Sequence, residues 1–164
     1  MDLILVRHAI AGERDARRWP DDSQRPLTTD GVKRFERAAA GLRRVQGSVD
    51  LVLSSPYVRA WQTAKILEEI AGWPAAVSCA QLEPEHDPQA IIDVCGQQRA
   101  EVIALVGHEP HLSTFLCRLL TGLQESFVEL KKGGAAMIEI AAPIAVGRGK
   151  LLWLCKPSQL RRAR

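Results

Sequence analysis

Several features that usually announce a function are missing from this chain. Its 164 residues include four cysteines, Cys79, Cys95, Cys117 and Cys155, and no two form a CxxC pair. Each sits among apolar residues, which reads as buried free thiols in a reducing cytosol rather than a disulfide framework. No apolar run reaches the roughly 18 residues that a membrane span needs. Met1-Asp2 followed directly by a strand-like run lacks the basic-then-apolar layout of a signal peptide. The expected location is the cytoplasm, with no membrane partner. No GxGxxG follows the first strand, which argues against a dinucleotide-binding fold. No carboxylate cluster suits magnesium, and His86 and His111 are not spaced with other ligands as a zinc site would be. No metal or cofactor is expected. Internal repeats, low-complexity stretches and interdomain linkers are absent as well.

Charge of one sign is also lacking. The formal net charge is +3, but the last nine residues hold four basic and no acidic side chains. Without them the chain has 18 basic against 19 acidic residues. The body is therefore not a basic nucleic-acid binder, and no nucleic-acid partner is expected. The basic tail, residues 158–164, reads as a solvated terminus. With 46% hydrophobic and 25% charged residues, the rest is ordinary for one globular domain, here residues 1–157.

What is present is an alternation of strands and helices. Leu3–Val6, Leu51–Leu53 and Val102–Val106 are short, wholly apolar runs of the kind buried in a parallel sheet. Residues 9–27 are polar and irregular, long enough for a functional loop. A helix starts near Thr28-Thr29-Asp30, its apolar face marked by Val32, Phe35, Ala39 and Leu42. Asp87-Pro88 starts another, a capping carboxylate before a proline at the first helical position. A further helix spans about Pro110 to Leu120. Ala135–Ile140 and Lys150–Leu154 follow with no helix between them, so they are expected to pair antiparallel, with a strand edge exposed near Ala135–Ile140. The pattern predicts an α/β fold: a three-layer α/β/α arrangement with a mostly parallel central sheet and an antiparallel C-terminal strand pair.

Three short runs carry the chemistry: Leu3–Gly12, Ser54–Thr63 and Val106–Pro110. They supply Arg7 and His8 just beyond the first strand, Arg59 one turn into the helix after the second, and His108 just beyond the third. Residues at the C-terminal ends of such strands converge on one crevice in open α/β folds. Arginine offers a planar fork of donors to phosphate oxygens, and a protonated imidazole adds another. Singly, each residue has a plainer reading: His8 as a structural hydrogen-bonding group, Arg59 as a salt-bridged helix residue, His108 as a cap. Together they form a phosphoryl site with a nitrogen nucleophile inside it.

Arg7-His8-Ala9 resembles the Arg-His-Gly signature of the histidine phosphatase superfamily, which includes the phosphoglycerate mutases. Ser54-Ser55-Pro56 with Arg59-Ala60 and Gln62-Thr63 looks like its second motif, and Gly107-His108-Glu109-Pro110 like its third. Arg25-Pro26-Leu27-Thr28 before Asp30-Gly31, Leu82-Glu83-Pro84 and the compact length are similar to its small bacterial phosphohistidine phosphatases. The resemblance spans residues 3 to about 157. It implies a phosphoglycerate mutase-like fold and a metal-independent hydrolase. It also implies that His8 attacks phosphorus to form a phosphohistidine intermediate, that Arg7 and Arg59 clamp the phosphoryl oxygens, and that His108 binds them and stabilises charge. The implied substrate is a phosphohistidine-bearing protein, either a phosphotransfer domain or a phosphocarrier of signal transduction. The alternative is a small-molecule phosphomonoesterase acting on a sugar phosphate or a nucleotide.

Two departures matter. Ala9 replaces the usual glycine, so the backbone there should not need a positive φ. The glutamate general acid of many relatives has no clear counterpart. Glu83 is the candidate, although it stands in the variable position of a Leu-x-Pro turn, and Glu85, Asp87, Asp21 and Asp22 are other carboxylates to weigh. Weak acid equipment favours a phosphoramidate, because imidazole leaves far more easily than an alkoxide. There is no spare length for a lid, so an open pocket is expected, with residues 9–27 forming one wall. Arg25 either reaches the phosphate or makes a structural salt bridge. Arg14, Arg17, Arg18 and Trp19 are candidate partner contacts.

Overall fold

The computed structural model describes residues 1–163. The expected alternation is present. Strands β1 (Asp2–Arg7), β2 (Leu51–Ser54), β3 (Val77–Ser78), β4 (Val102–Gly107), β5 (Ala135–Ile140) and β6 (Gly149–Cys155) form one sheet in the order β3-β2-β4-β1-β5-β6. Pairings among β1 to β4 are parallel, whereas β1–β5 and β5–β6 are antiparallel. This is the α/β arrangement that the pattern predicts, with the C-terminal strand pair running against the rest.

Helices cover both faces. α1 (Thr29–Gln46) and α2 (Val58–Ile66) pack on one side, α3 (Pro88–Gly96) and α4 (His111–Thr121) on the other. The period-2 rule of strands sorts the core. Ile4 and Val6 of β1 join Ala104 and Val106 of β4 under α1 and α2. Leu3, Leu5, Ile103 and Leu105 face α3 and α4. The helix signals act as read: the Thr28 side chain accepts from the Gly31 amide, and Asp87 caps α3 through the Gln89 amide. Gly47, with φ +72°, closes α1. After Ile66 the second helix widens into a π turn, Leu67–Ala71.

Three expectations need correction. The strand edge lies at β6, not near Ala135–Ile140, because β5 is paired on both sides. Leu151, Leu152 and Leu154 of that edge strand are partly exposed. The C-terminus is not simply a solvated tail. Pro157–Leu160 forms a short helix, α5, whose Leu160 is buried in the core beneath α1. Burial of one leucine outweighs the pull of the neighbouring charges, which remain exposed at Arg161 and Arg162. Arg164 lies outside the described residues. Finally, Cys79, Cys95 and Cys117 are buried, but Cys155 is only half-buried.

Candidate active site

Register places the site. β1 and β4 are neighbours with Arg7 opposite Gly107, so His8 and His108 leave the sheet side by side. The His8 amide donates to the Gly107 carbonyl (3.0 Å), and the Ser55 amide donates to Val106 (3.0 Å). Three strand ends are thus tied together at their carboxyl edge, where α/β sheets bind ligands. A cavity of about 310 Å³ opens there, and Arg7, His8, Arg25, Arg59 and His108 all line it.

His8 is 6% exposed. Its Nδ1 lies 2.7 Å from the Ala9 carbonyl oxygen. A carbonyl only accepts, so Nδ1 carries the hydrogen and Nε2 keeps a lone pair. Burial pushes the His8 pKa down to about 3; the charges of Arg59, Arg7 and Lys132 add to the effect, against the bond to Ala9. The ring is therefore neutral at physiological pH. Ala9 needs no unusual backbone, since among the described residues only glycines have positive φ.

His108 stands 5.2 Å from His8, centroid to centroid. Ser55 Oγ accepts from the Tyr57 amide (3.3 Å) and lies 2.9 Å from His108 Nε2. A serine hydroxyl that donates to Nε2 leaves the hydrogen on Nδ1, which faces no acceptor. Burial, with His8 and Arg59 nearby, lowers the His108 pKa to about 2.

The arginines are braced from behind. Arg7 Nη1 donates to the Leu130 carbonyl at 2.6 Å. Arg59 Nη1 donates to the Asp22 carbonyl (2.7 Å), and its Nη2 is 3.1 Å from the Asp22 carboxylate. Burial lowers both guanidinium pKa values, yet guanidinium retains its charge. In both residues Nε is buried and makes no hydrogen bond among the described residues, as is true of His108 Nδ1. An unpaired buried donor costs about 1–3 kcal/mol. Three of them around one cavity, beside two full positive charges, fit a tetrahedral anion.

Arg25 lines the same cavity and makes the structural salt bridge. Its Nε donates to Asp22 Oδ1 (2.8 Å) and its Nη1 to the Gly12 carbonyl (2.7 Å). Arg14 is also in the lining, whereas Arg18 lies over Trp19 in an exposed stretch. Glu83 is not among the lining residues; Pro84 and Glu85 are. Glu83 is half-buried, and both it and Glu85 lie within electrostatic range of Tyr57 beside His108.

The contacts of several other site residues were not evident from the sequence. Asp22 grips two arginines, and the Thr63 hydroxyl accepts from the Ala9 amide (3.0 Å) while donating to the Arg59 carbonyl (2.7 Å). Gln62 Oε1 accepts from the Leu27 amide at 2.8 Å. Gln62 and Thr63 thus fasten the loop wall and the nucleophile segment to α2. Glu109 accepts from the Leu130 amide (2.6 Å) and from Ser113, which fixes the carbonyl that holds Arg7. The local signals for these contacts were the Asp22–Arg25 spacing of three and the Arg59–Thr63 and Glu109–Ser113 spacings of four. Among the described residues, no three His, Cys, Asp or Glu side chains converge as metal ligands.

The family model of the histidine phosphatase superfamily (branch 1) matches residues 3–82. An uncharacterized protein of Picosynechococcus sp. is 31% identical over 137 residues, 82% of each chain. The chain belongs to the histidine phosphatase superfamily. Phosphohistidine phosphatase SixA of Escherichia coli K12 is 25% identical over 171 residues, covering 100% of this chain and 99% of that one. The structure of the protein histidine phosphatase SixA complexed with tungstate superposes with a TM-score of 0.85 at 24% identity, covering 98% of this chain and 99% of that one. The alpha-ribazole phosphatase of Shigella flexneri gives 0.74 at 20% identity, with 96% and 97% covered. The fold is therefore the phosphoglycerate mutase-like fold of the superfamily, and membership implies a phosphatase. No helix among the described residues is long and apolar enough to cross a membrane.

Proposed function

We propose that this histidine phosphatase is a metal-independent phosphohistidine phosphatase acting on a phosphorylated histidine of a cytoplasmic protein. The observation that carries the reading is the state of the carboxylates. Among the described residues, three line the pocket: Asp22, Glu85 and Glu109. Asp22 is engaged by Arg25 and Arg59, and the hydrogen bond from Arg25 keeps its carboxyl ionised below the usual range. Glu109 is held by Leu130 and Ser113. Only Glu85, exposed at the rim, is uncommitted. An alkoxide leaving group demands a proton from the enzyme, whereas imidazole leaves readily once protonated by solvent.

The chemistry follows from the geometry. His8 Nε2 attacks phosphorus, and its lone pair forms the new N–P bond. The N–P bond of the substrate breaks, and its electron pair returns to the substrate imidazole, which is protonated through the open mouth. Arg7, Arg59 and His108 hold the three non-bridging oxygens by the donors they leave unpaired. Water then attacks phosphorus, the His8–phosphorus bond breaks, and phosphate departs with His8 again neutral. Positioning and charge stabilisation account for most of phosphoryl-transfer catalysis, so this set suffices. Exposed lining residues such as Lys132 and Pro110 leave the mouth wide enough for a side chain presented by a protein surface.

A small-molecule phosphomonoesterase is the second reading, and Glu85 is the residue that favours it. The test compares, in EDTA, a phosphorylated histidine-phosphotransfer domain with a panel of sugar phosphates and nucleotides, with His8→Ala as control. Hydrolysis of the phosphoprotein well above the panel supports the proposal. Preference for an alkyl phosphate, lost in Glu85→Gln, moves the function to the second reading.

A further inference from the structure

A second, smaller cavity of about 120 Å³ adjoins the phosphoryl pocket. Its floor is apolar, with Ala9, Phe35 and Pro157 among its lining. Its rim carries Arg34, Lys132 and Arg161, and no carboxylate lines it among the described residues. The three cations come from separate segments: α1, the turn before β5, and the end of α5. Arg34 shares its charge with Asp30 at 2.7 Å, while Lys132 and Arg161 make no ion pair among the described residues. Burial of Leu160 is what holds Arg161 there.

The two cavities share a lining residue. Lys132 lines both, and Ala9, next to the proposed nucleophile, lines the smaller one. Gly133 lines the smaller cavity: its φ is +75°, and a Cβ there would meet the Phe35 ring at 3.1 Å. The cavity offers no buried unpaired donor to a lone inorganic anion. Its long, solvated arms suit carboxylates spaced along a chain, and its floor suits one apolar side chain.

We propose that this cavity docks an acidic segment flanking the phosphohistidine of the protein substrate. One apolar side chain sits on Phe35 and Pro157, and neighbouring carboxylates meet Arg34, Lys132 and Arg161. The proposal rests on the phosphohistidine reading of the adjoining site.

The test uses the full chain and two fluorescent peptides. One has glutamates and a leucine around a central histidine; the other has glutamine in place of each glutamate. The variant is Arg34→Gln with Arg161→Gln, neither of which lines the phosphoryl pocket. By fluorescence anisotropy, the wild type should bind the acidic peptide about tenfold more tightly than the neutral one, as a few solvated ion pairs supply. The double variant should lose that preference. Its kcat/KM should fall by a similar factor on the phosphorylated acidic peptide and stay unchanged on free phosphohistidine. Equal binding of the two peptides overturns the proposal, as does equal loss on free phosphohistidine. So does an oligonucleotide that binds as tightly as the acidic peptide. Should the wild type hydrolyse only alkyl phosphates, the phosphohistidine reading falls, and the anisotropy comparison still decides the docking site.

Discussion

Asp22 holds Arg59 with two of its atoms at once. Its carbonyl oxygen accepts from Nη1 at 2.7 Å and its carboxylate meets Nη2 at 3.1 Å, while the same carboxylate takes Arg25 Nε at 2.8 Å. The outer edge of the Arg59 guanidinium is thereby occupied, and Nε is buried without a partner among the described residues. An acidic residue inside a phosphate site weakens anion binding but orients the cation that binds it. Asp22→Asn removes the charge and slackens the brace. Its kcat should drop about tenfold, a loss of about 1.4 kcal/mol in transition-state stabilisation, while KM and the phosphate inhibition constant stay level or fall. Steady-state kinetics with phosphate as product inhibitor measures both. A raised KM with unchanged kcat would show that Asp22 does not orient Arg59.

His8→Ala should abolish turnover, because no other unprotonated nitrogen with an open lone pair faces the donors of the pocket. Ala9→Gly should leave activity within about twofold and stability within about 1 kcal/mol, since Ala9 keeps ordinary backbone angles and loses only a methyl group. Single-turnover phosphate release and urea unfolding check the pair. An active His8→Ala enzyme would falsify the mechanism.

Two buried neutral histidines make the fold acid-labile. His8 near 3 and His108 near 2 compare with about 6.5 in the unfolded chain. Between those limits the unfolded state binds more protons, so stability climbs with pH through the window and is lost as pH falls below about 6.5. Each histidine contributes a slope of up to about 1.4 kcal/mol per pH unit. Urea midpoints at pH 7.5, 6 and 5 should fall accordingly, and His108→Gln should flatten the trend. Equal midpoints across the series contradict neutral burial.

The C-terminal helix is docked by contact, and Gly41 permits it. A Cβ at Gly41 would come 1.9 Å from the Leu160 carbonyl oxygen. Gly41→Ala should therefore displace α5 and cost about 1–3 kcal/mol despite the better helix propensity of alanine. Chemical denaturation of the variant gives the number. A neutral or stabilising outcome would mean that α5 moves aside freely.

Local physics was legible in the chain wherever neighbours in sequence decide the outcome. The apolar runs of β1, β2 and β4 and the Thr28 and Asp87 caps needed no distant partner to be read. Arg7, His8, Arg59 and His108 were legible for a related reason: each stands just after a strand or at the head of the following helix, and parallel strands share a carboxyl edge. Glu83 illustrates the limit. Which carboxylate of a turn lines a pocket depends on the backbone angles of that turn, and sequence spacing does not set them. It is Glu85 that reaches the rim. The basic C-terminus illustrates it again, since composition registered its charges but not the shallow seat that Gly41 leaves for Leu160.

The sequence by itself determined the element types, the alternation that builds a parallel sheet, and the residue chemistry that a phosphoryl site requires. Those properties rest on hydrophobic period, capping and side-chain type, all of them local. Tertiary structure alone decided which edge of each arginine is spent on bracing, which carboxylates are tied and which cations gather beside the pocket. Those outcomes depend on contacts between segments tens of residues apart, such as Asp22 with Arg59 and Arg7 with Leu130. Only the packed sheet brings such pairs within hydrogen-bonding or electrostatic range.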